Sequence, residues 1–267
     1  MEDQKECEVL TYDLTVPNET TKIKISKLDF DTGLFVSGAK LAVYEAGFLD
    51  GVYTEAGEAL ETWICDGKTH VIDGKLIAGH TYLLKELEAP DGYVRTFPSA
   101  VEVKETNEVQ RVLLSDEKTK VEIAKIDGTE DYRQKVENRT DMETSETSTE
   151  IRGTYSQTFV TGAKLALFKA KRVNTADQDK YPKGYYFVKA EETPAVWNSE
   201  DPVDNRKASV TAMWITDEKP KYFEGIPVGD YILEELETPG GYIPASMEIT
   251  VEETGNLQSF VLKDDHT

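Results

Sequence analysis

The sequence predicts an all-β protein made of two tandem β-sandwiches. Three observations carry that expectation. A long pattern of residues occurs twice along the 267-residue chain. Its repeated pieces are short β-rich runs set between Gly, Pro, Asn and Asp turn residues. No long stretch shows the 3.6-residue apolar period of a helix, so layered sheets are the natural way to bury these runs.

The repeat defines the organisation, because self-similarity at a long period marks tandem units. Val36-Ser37-Gly38-Ala39-Lys40-Leu41-Ala42-Val43-Tyr44 returns as Val160-Thr161-Gly162-Ala163-Lys164-Leu165-Ala166-Leu167-Phe168. Trp63-Ile64 returns as Trp214-Ile215. Tyr82-Leu83-Leu84-Lys85-Glu86-Leu87-Glu88-Ala89-Pro90-Asp91-Gly92-Tyr93 returns as Tyr231-Ile232-Leu233-Glu234-Glu235-Leu236-Glu237-Thr238-Pro239-Gly240-Gly241-Tyr242. Val112-Leu113-Leu114-Ser115-Asp116 returns as Phe260-Val261-Leu262-Lys263-Asp264. The expected units are residues 20–118 and 119–267.

In the first unit, strands are expected at 40–44, 80–86, 100–104 and 110–114. The second unit is longer because of insertions near 128–158 and 171–207. The first insertion contains the polar run 141–150, which lacks core-forming residues and is expected to be a solvated loop. The second carries Tyr185, Tyr186, Phe187 and Val188, enough for an added strand or hairpin. Residues 1–19 parallel the end of the first unit and its linker in shape. They read as the last strand of a preceding, missing unit.

With 51 acidic and 30 basic side chains the net charge is -21. Such a surface repels nucleic acid and anionic lipid, which argues against both as partners. Hydrophobic residues at 39% and charged ones at 30% fit a soluble globular chain with a real core in each unit. No apolar run approaches the length of a membrane span. Met1-Glu2-Asp3-Gln4-Lys5-Glu6 lacks the basic start and apolar stretch of a signal peptide, so an exported parent would carry its address elsewhere. Cys7 and Cys65 are too few for a disulfide framework.

The chemistry enters through two misplaced lysines. In Ile23-Lys24-Ile25-Ser26-Lys27 the alternation that turns both isoleucines inward also turns Lys27 inward. In Val121-Glu122-Ile123-Ala124-Lys125 the same parity buries Lys125. A buried ammonium is costly unless it is paired, neutralised or consumed. Carboxyl groups share that inward parity. Asp116 follows Val112 and Leu114, and Asp264 follows Phe260 and Leu262. Glu86 follows Tyr82 and Leu84, and Glu235 follows Tyr231 and Leu233, although Leu83 and Ile232 make the opposite face of those strands apolar as well. Each unit therefore aims one Lys, one Glu and one Asp at a common interior. The trio reads either as a reactive set or as an unreacted buried ion pair.

These residues resemble a known family. Lys27 in Ile25-Ser26-Lys27-Leu28-Asp29, Glu86 in Glu86-Leu87-Glu88-Ala89-Pro90-Asp91-Gly92-Tyr93, and Asp116 before the linker are similar to the motifs of Cna B-type domains, found in Gram-positive surface proteins and SpaA-like pilins. The second unit is similar through Lys125, Glu235 and Asp264. The resemblance implies an immunoglobulin-like (prealbumin-like) sandwich and a self-formed isopeptide bond between the first and last strands. Lys27 would be joined to Asp116 with Glu86 as catalytic acid, and Lys125 to Asp264 with Glu235 in that role. It implies a structural stalk or backbone module of a cell-wall-anchored adhesin or pilin, outside a Gram-positive cell, with neighbouring domains of the same protein as partners. An alternative is a module that binds a host extracellular protein or glycan through the second unit's insertions, where Tyr185, Tyr186, Phe187 and Trp197 lie. No cofactor, no metal and no enzymatic turnover are implied beyond self-crosslinking.

Other signals are weaker. Asp29-Phe30-Asp31-Thr32-Gly33 resembles the start of a calcium loop but lacks its later ligands, so a hairpin turn is expected. His70, His80 and His266 have no zinc or catalytic-triad spacing. Cys65 is expected to be structural rather than a nucleophile. Tyr181-Pro182-Lys183 resembles the Tyr-Pro-Lys element through which sortases polymerise some pilins, but its flanks do not extend that motif. Asn18 and Asn138 each begin a glycosylation acceptor tripeptide. No Leu-Pro-x-Thr-Gly stretch is present.

Overall fold

The structure is a computed structural model. It describes residues 20–106, 108–128, 158–170 and 209–267, together with the strand backbones of 136–140, 147–151, 171–172, 185–188 and 194–196.

Seven strands build the first unit: β1 (Lys22–Asp29), β2 (Ser37–Leu49), β3 (Val52–Asp66), β4 (His70–Asp73), β5 (Thr81–Glu88), β6 (Ser99–Glu102) and β7 (Gln110–Asp116). They form two sheets in the orders β4-β1-β7 and β3-β2-β5-β6. The expected strands at 40–44 and 110–114 fall in β2 and β7, and that at 80–86 falls in β5 except for His80. The run at 100–104 starts one residue earlier and stops at Glu102. The long β2–β3 hairpin turns at Asp50-Gly51, with φ of 50° and 84°. Both positions need the left-handed region that a two-residue hairpin of matching twist demands, which Asp-Gly supplies.

The facing sides of the two sheets supply the core. Ile23 and Ile25 from β1, Leu41 and Val43 from β2, Tyr82 and Leu84 from β5, and Leu114 from β7 pack as one cluster. β1 and β7, the first and last strands, lie parallel, with Lys27 opposite Leu114 and Asp29 opposite Asp116. Side chains two residues apart share a face, so this register places Lys27 and Asp116 on the same inner face of neighbouring strands.

The second unit repeats the plan. Its smaller sheet has the order β15-β8-β18, from β15 (Lys221–Glu224), β8 (Lys120–Asp127) and β18 (Leu257–Asp264). β18 is parallel to β8, with Lys125 opposite Leu262 and Asp127 opposite Asp264. In the larger sheet, β11 (Lys164–Arg172) pairs with β16 (Gly229–Glu237), and β16 with β17 (Ser246–Val251). β14 (Val210–Ile215) also pairs with β11. The core cluster is the counterpart of the first, with Val121, Ile123, Leu165, Leu167, Tyr231, Leu233 and Leu262. The doubly apolar parity of β16 has a physical cause: Ile232 packs on the opposite face with Ala166, Phe168 and Ala170.

The insertions are built differently from each other. The second adds β12 (Tyr185–Val188) beside β11 and β13 (Pro194–Val196) beside β12, where a strand or hairpin is expected and two paired strands are found. The first departs from expectation. Within the run read as a solvated loop, residues 147–150 belong to β10 (Thr147–Ile151), antiparallel to β9 (Val136–Thr140). Its alternating threonines suit strand backbone, and β-branching outweighs the lack of core-forming residues there. Among the described residues no helix is long and apolar enough to cross a membrane.

Candidate functional site

Strand parity and parallel pairing converge inside each sandwich. Lys27 is 1% exposed and Lys125 is 3% exposed, and Glu86, Asp116, Glu235 and Asp264 are all buried. Lys27 Nζ lies 2.8 Å from Glu86 Oε2 and hydrogen-bonds Asp116 Oδ1. Lys125 Nζ lies 3.1 Å from Glu235 Oε2 and hydrogen-bonds Asp264 Oδ1. All six residues singled out in the sequence are thus brought together, three in each unit.

The electrostatics favour a neutral acid in each trio. Burial pushes the Glu86 carboxyl up to about 7, against the opposing hydrogen bonds from Lys27 and the Thr96 backbone N–H. Burial also raises the Asp264 carboxyl, and the neighbouring Glu235 carboxyl adds to the rise against the pull of Lys125. Among the described residues, Glu86 Oε1, Asp116 Oδ2, Glu235 Oε1 and Asp264 Oδ2 are buried with no hydrogen-bond partner. A bare oxygen on a buried ionised carboxylate is expensive, whereas a neutral acid leaves it at lower cost.

Such an arrangement can carry out one reaction on itself. A neutral amine held against a carboxyl carbon is a nucleophile at its target, and a second carboxyl at the same point can move the proton. Fixed neighbours gain the large effective concentrations of intramolecular chemistry.

Comparison with known proteins agrees with this architecture. The family described as SpaA: Prealbumin-like fold domain matches residues 21–118 and again 116–266. The chain belongs to this family. No curated protein sequence matches it. Solved structures similar to it include the Bacillus anthracis TIE protein, at 18% identity and a TM-score of 0.40, covering 93% of this chain and 34% of that one. A streptococcal ancillary pilin has 18% identity and a TM-score of 0.35, covering 94% of this chain and 64% of that one. The shaft pilin SpaA from Lactobacillus rhamnosus GG has 13% identity and a TM-score of 0.35, covering 93% of this chain and 98% of that one. The chain therefore spans about a third of the first of these structures and just under two thirds of the second.

Each SpaA domain also holds a second polar cluster, two residues beyond its lysine, that sequence reasoning missed. In the first, Asp29 accepts hydrogen bonds from the Tyr93 hydroxyl at 2.8 Å and from the backbone N–H and hydroxyl of Thr32 at 2.8 Å, and pairs with Lys118 at 2.7 Å. Burial alone would raise the Asp29 carboxyl, but Lys118, Thr32 and Tyr93 outweigh it and hold it well below the usual carboxylate range. In the second, Asp127 accepts from the Tyr242 hydroxyl at 3.2 Å and lies 2.8 Å from His266 Nε2. The available signal was the repeated Lys-x-Asp spacing, Lys27-Leu28-Asp29 and Lys125-Ile126-Asp127. Asp29 thus closes the expected turn: the N–H of Gly33 donates to its carbonyl.

Thr96 was also missed. Its hydroxyl lies 3.1 Å from Lys27 Nζ and 2.7 Å from Asp116 Oδ1. Cys65 is buried and unpaired, and burial raises its thiol away from reactivity, in keeping with a structural role. His70 stacks on Trp63 and bonds Glu61, His80 stacks near Tyr82, and His266 serves Asp127. Among the described residues no His, Cys, Asp and Glu are grouped to hold a metal ion. Cys7, Asn18, Lys183, Trp197 and the side chains of Asn138, Tyr185, Tyr186 and Phe187 lie outside the described residues.

Proposed function

We propose that this chain is a load-bearing stalk segment of a surface protein, a pilin or adhesin anchored to a Gram-positive cell wall. Each sandwich is closed by an intramolecular amide, between Lys27 and Asp116 in the first and between Lys125 and Asp264 in the second. The observation that carries the reading is the same in both: a lysine amine, almost wholly buried, in contact with an aspartate and a glutamate across parallel first and last strands.

The chemistry balances within the trio. The lone pair of the Lys27 amine attacks Asp116 Cγ, forming the C–N bond. Neutral Glu86 gives its proton to the departing hydroxyl of Asp116, whose C–O bond breaks to release water, and takes a proton back from the nitrogen as the amide forms. Glu86 ends as it began, so the event is a single turnover. Lys125, Glu235 and Asp264 follow the same course. The product is an uncharged amide, which resolves the cost of the inward lysines.

Tension entering along β1 would cross the amide and leave along β7, then pass through Glu117–Ala124 to the next amide. The sheets between those strands would be bypassed. The proposed units are residues 20–118 and 119–267, with neighbouring domains of the same protein as partners.

Intact-mass spectrometry of the purified chain tests the reading. The expected mass is lower than the sequence mass by one water per domain. Lys27→Ala or Glu86→Ala restores one water, and Lys125→Ala or Glu235→Ala restores the other. A natively folded chain at its full, unmodified mass refutes both crosslinks.

A further inference from the structure

The two trios are not built alike, and the difference lies in the segment that follows β5 or β16. In the first domain the backbone N–H of Thr96 donates to Glu86 Oε2 at 2.8 Å, the same oxygen that receives Lys27 Nζ. In the second, Ala245 stands at the matching place, three residues after the repeated tyrosine. Its N–H donates to Glu235 Oε2 at 3.0 Å, the oxygen that receives Lys125 Nζ. The backbone contact is therefore repeated, but only the first domain adds a hydroxyl.

That hydroxyl touches every part of the reacting pair. Thr96 Oγ1 lies 3.1 Å from Lys27 Nζ, 2.7 Å from Asp116 Oδ1 and 2.7 Å from the Ser115 carbonyl oxygen. A hydroxyl has one hydrogen to give and two lone pairs to receive with. A neutral lysine amine has two N–H bonds and one lone pair. If Glu86 Oε2 and Thr96 Oγ1 accept the two N–H bonds, the lone pair is left facing Asp116, the third neighbour of Nζ. Two acceptors thus fix a rotor that would otherwise turn freely. As the amine adds, negative charge gathers on Asp116 Oδ1, and the Thr96 hydrogen is within reach of that oxygen. A donor waiting where charge develops, in a site closed to water, stabilises the transition state more than the ground state.

We infer that Thr96 is a second catalytic residue of the first crosslink, beside Glu86: it orients the Lys27 amine and donates its hydrogen bond to the developing oxyanion on Asp116. This rests on the reading that the trio reacts. Bonds formed and broken are those already given, and Thr96 neither gains nor loses a proton overall. The second domain is the internal comparison, running the same chemistry with a methyl group at the equivalent position.

The full chain, made by cell-free translation and quenched at intervals in acidic denaturant, supplies the test. Peptide mapping then follows the Lys27–Asp116 and Lys125–Asp264 linkages separately in one molecule. Thr96→Val keeps the side-chain shape without the hydroxyl, and Thr96→Ser keeps the hydroxyl. Loss of a single oxyanion donor slows reactions by about 10²-fold or more. Thr96→Val is expected to slow the first linkage on that scale and leave the second at its parental rate, while Thr96→Ser restores the first. A first linkage in Thr96→Val as fast as in the parent overturns the inference, as does equal slowing in the Ser and Val variants. Absence of the linkage in the parent itself overturns instead the reading that the trio reacts.

Discussion

Gly92 and Gly225 meet backbone to backbone across the two domains: a β-carbon at Gly92 would overlap the Gly225 carbonyl group. Gly92 also has a φ of 83°, a conformation that other residues reach only with strain. Around this contact the linker is held on both sides. The Thr119 N–H donates to the Gly92 carbonyl and its hydroxyl to the Ile226 carbonyl, while the Gly225 N–H donates to the Thr119 carbonyl. Arg95 completes the joint with a two-pronged contact to Glu253, at 2.9 Å from Nε and 2.8 Å from Nη2. In the load-bearing stalk proposed above, a joint with few free torsions would pass force directly from one domain to the next.

Gly92→Ala is therefore expected to open the joint without touching the crosslinks. Small-angle X-ray scattering should show a broader distribution of interdomain distances than in the parent, and protease should cut faster near residues 117–120. The water deficit in the intact mass should be unchanged. An unaltered scattering profile would show that the contact does not set the angle between domains.

Glu86→Gln removes the proton carrier while nearly preserving volume, so the first domain should fold with Lys27 and Asp116 unlinked. The proposed linkage would close a loop across 89 sequence positions, for which the chain-entropy account gives about 4–5 kcal/mol of stabilisation. Denaturant unfolding should then show the first domain melting well before the second. Coincident transitions in a chain whose mass confirms one missing linkage would argue that the bond contributes little to equilibrium stability.

The trios were legible because a period-two count needs no tertiary information. Ile23, Ile25 and Lys27 alternate inward whatever the partner strand is, and so do Leu114 and Asp116. The internal repeat then offered each inference twice. What lay beyond the sequence was contact made through loops. Thr96 reaches Lys27 from a segment outside any strand, where no periodicity says which way a side chain points. Asp29 reads in the sequence as part of a hairpin turn, and its partners Tyr93 and Lys118 come from 64 and 89 positions away. The Gly92–Gly225 contact is likewise invisible before the two domains are placed together.

Asp29 should matter to stability with a definite pH dependence. Its carboxyl is held below its ordinary value of 3.8, because the ionised form is bound by Lys118, Thr32 and Tyr93 despite burial. A lowered folded-state pKa means the contribution is fully present above the unfolded value and is lost as the pH falls through the folded one. Asp29→Asn is expected to cost about 1.5–3 kcal/mol at neutral pH, the range for hydrogen bonds to a charged group. The gap between variant and parent in urea unfolding should close progressively below the ordinary carboxylate pKa. A gap independent of pH would assign the effect to shape rather than charge.

Glu86 is shifted the other way, and its consequence is kinetic. Burial raises its carboxyl to about 7, so near neutrality a substantial share of folded, unreacted molecules carry it as the neutral acid. The neutral acid is the form that can hydrogen-bond the Asp116 carboxyl and hand a proton to the departing oxygen. Below about 7 that form dominates and the rate of the first linkage should be level. Above it the protonated fraction falls up to tenfold per pH unit, and the rate should fall with it. Timed quenching of freshly synthesised chain across this range, read by mass, gives the profile. A rate that climbs steadily through neutrality would mean that loss of a proton from Lys27 controls the reaction and that Glu86 acts as a base from the outset. Once formed, the amide has no titrating group, so the amount of finished linkage should not change on later transfer between the same buffers.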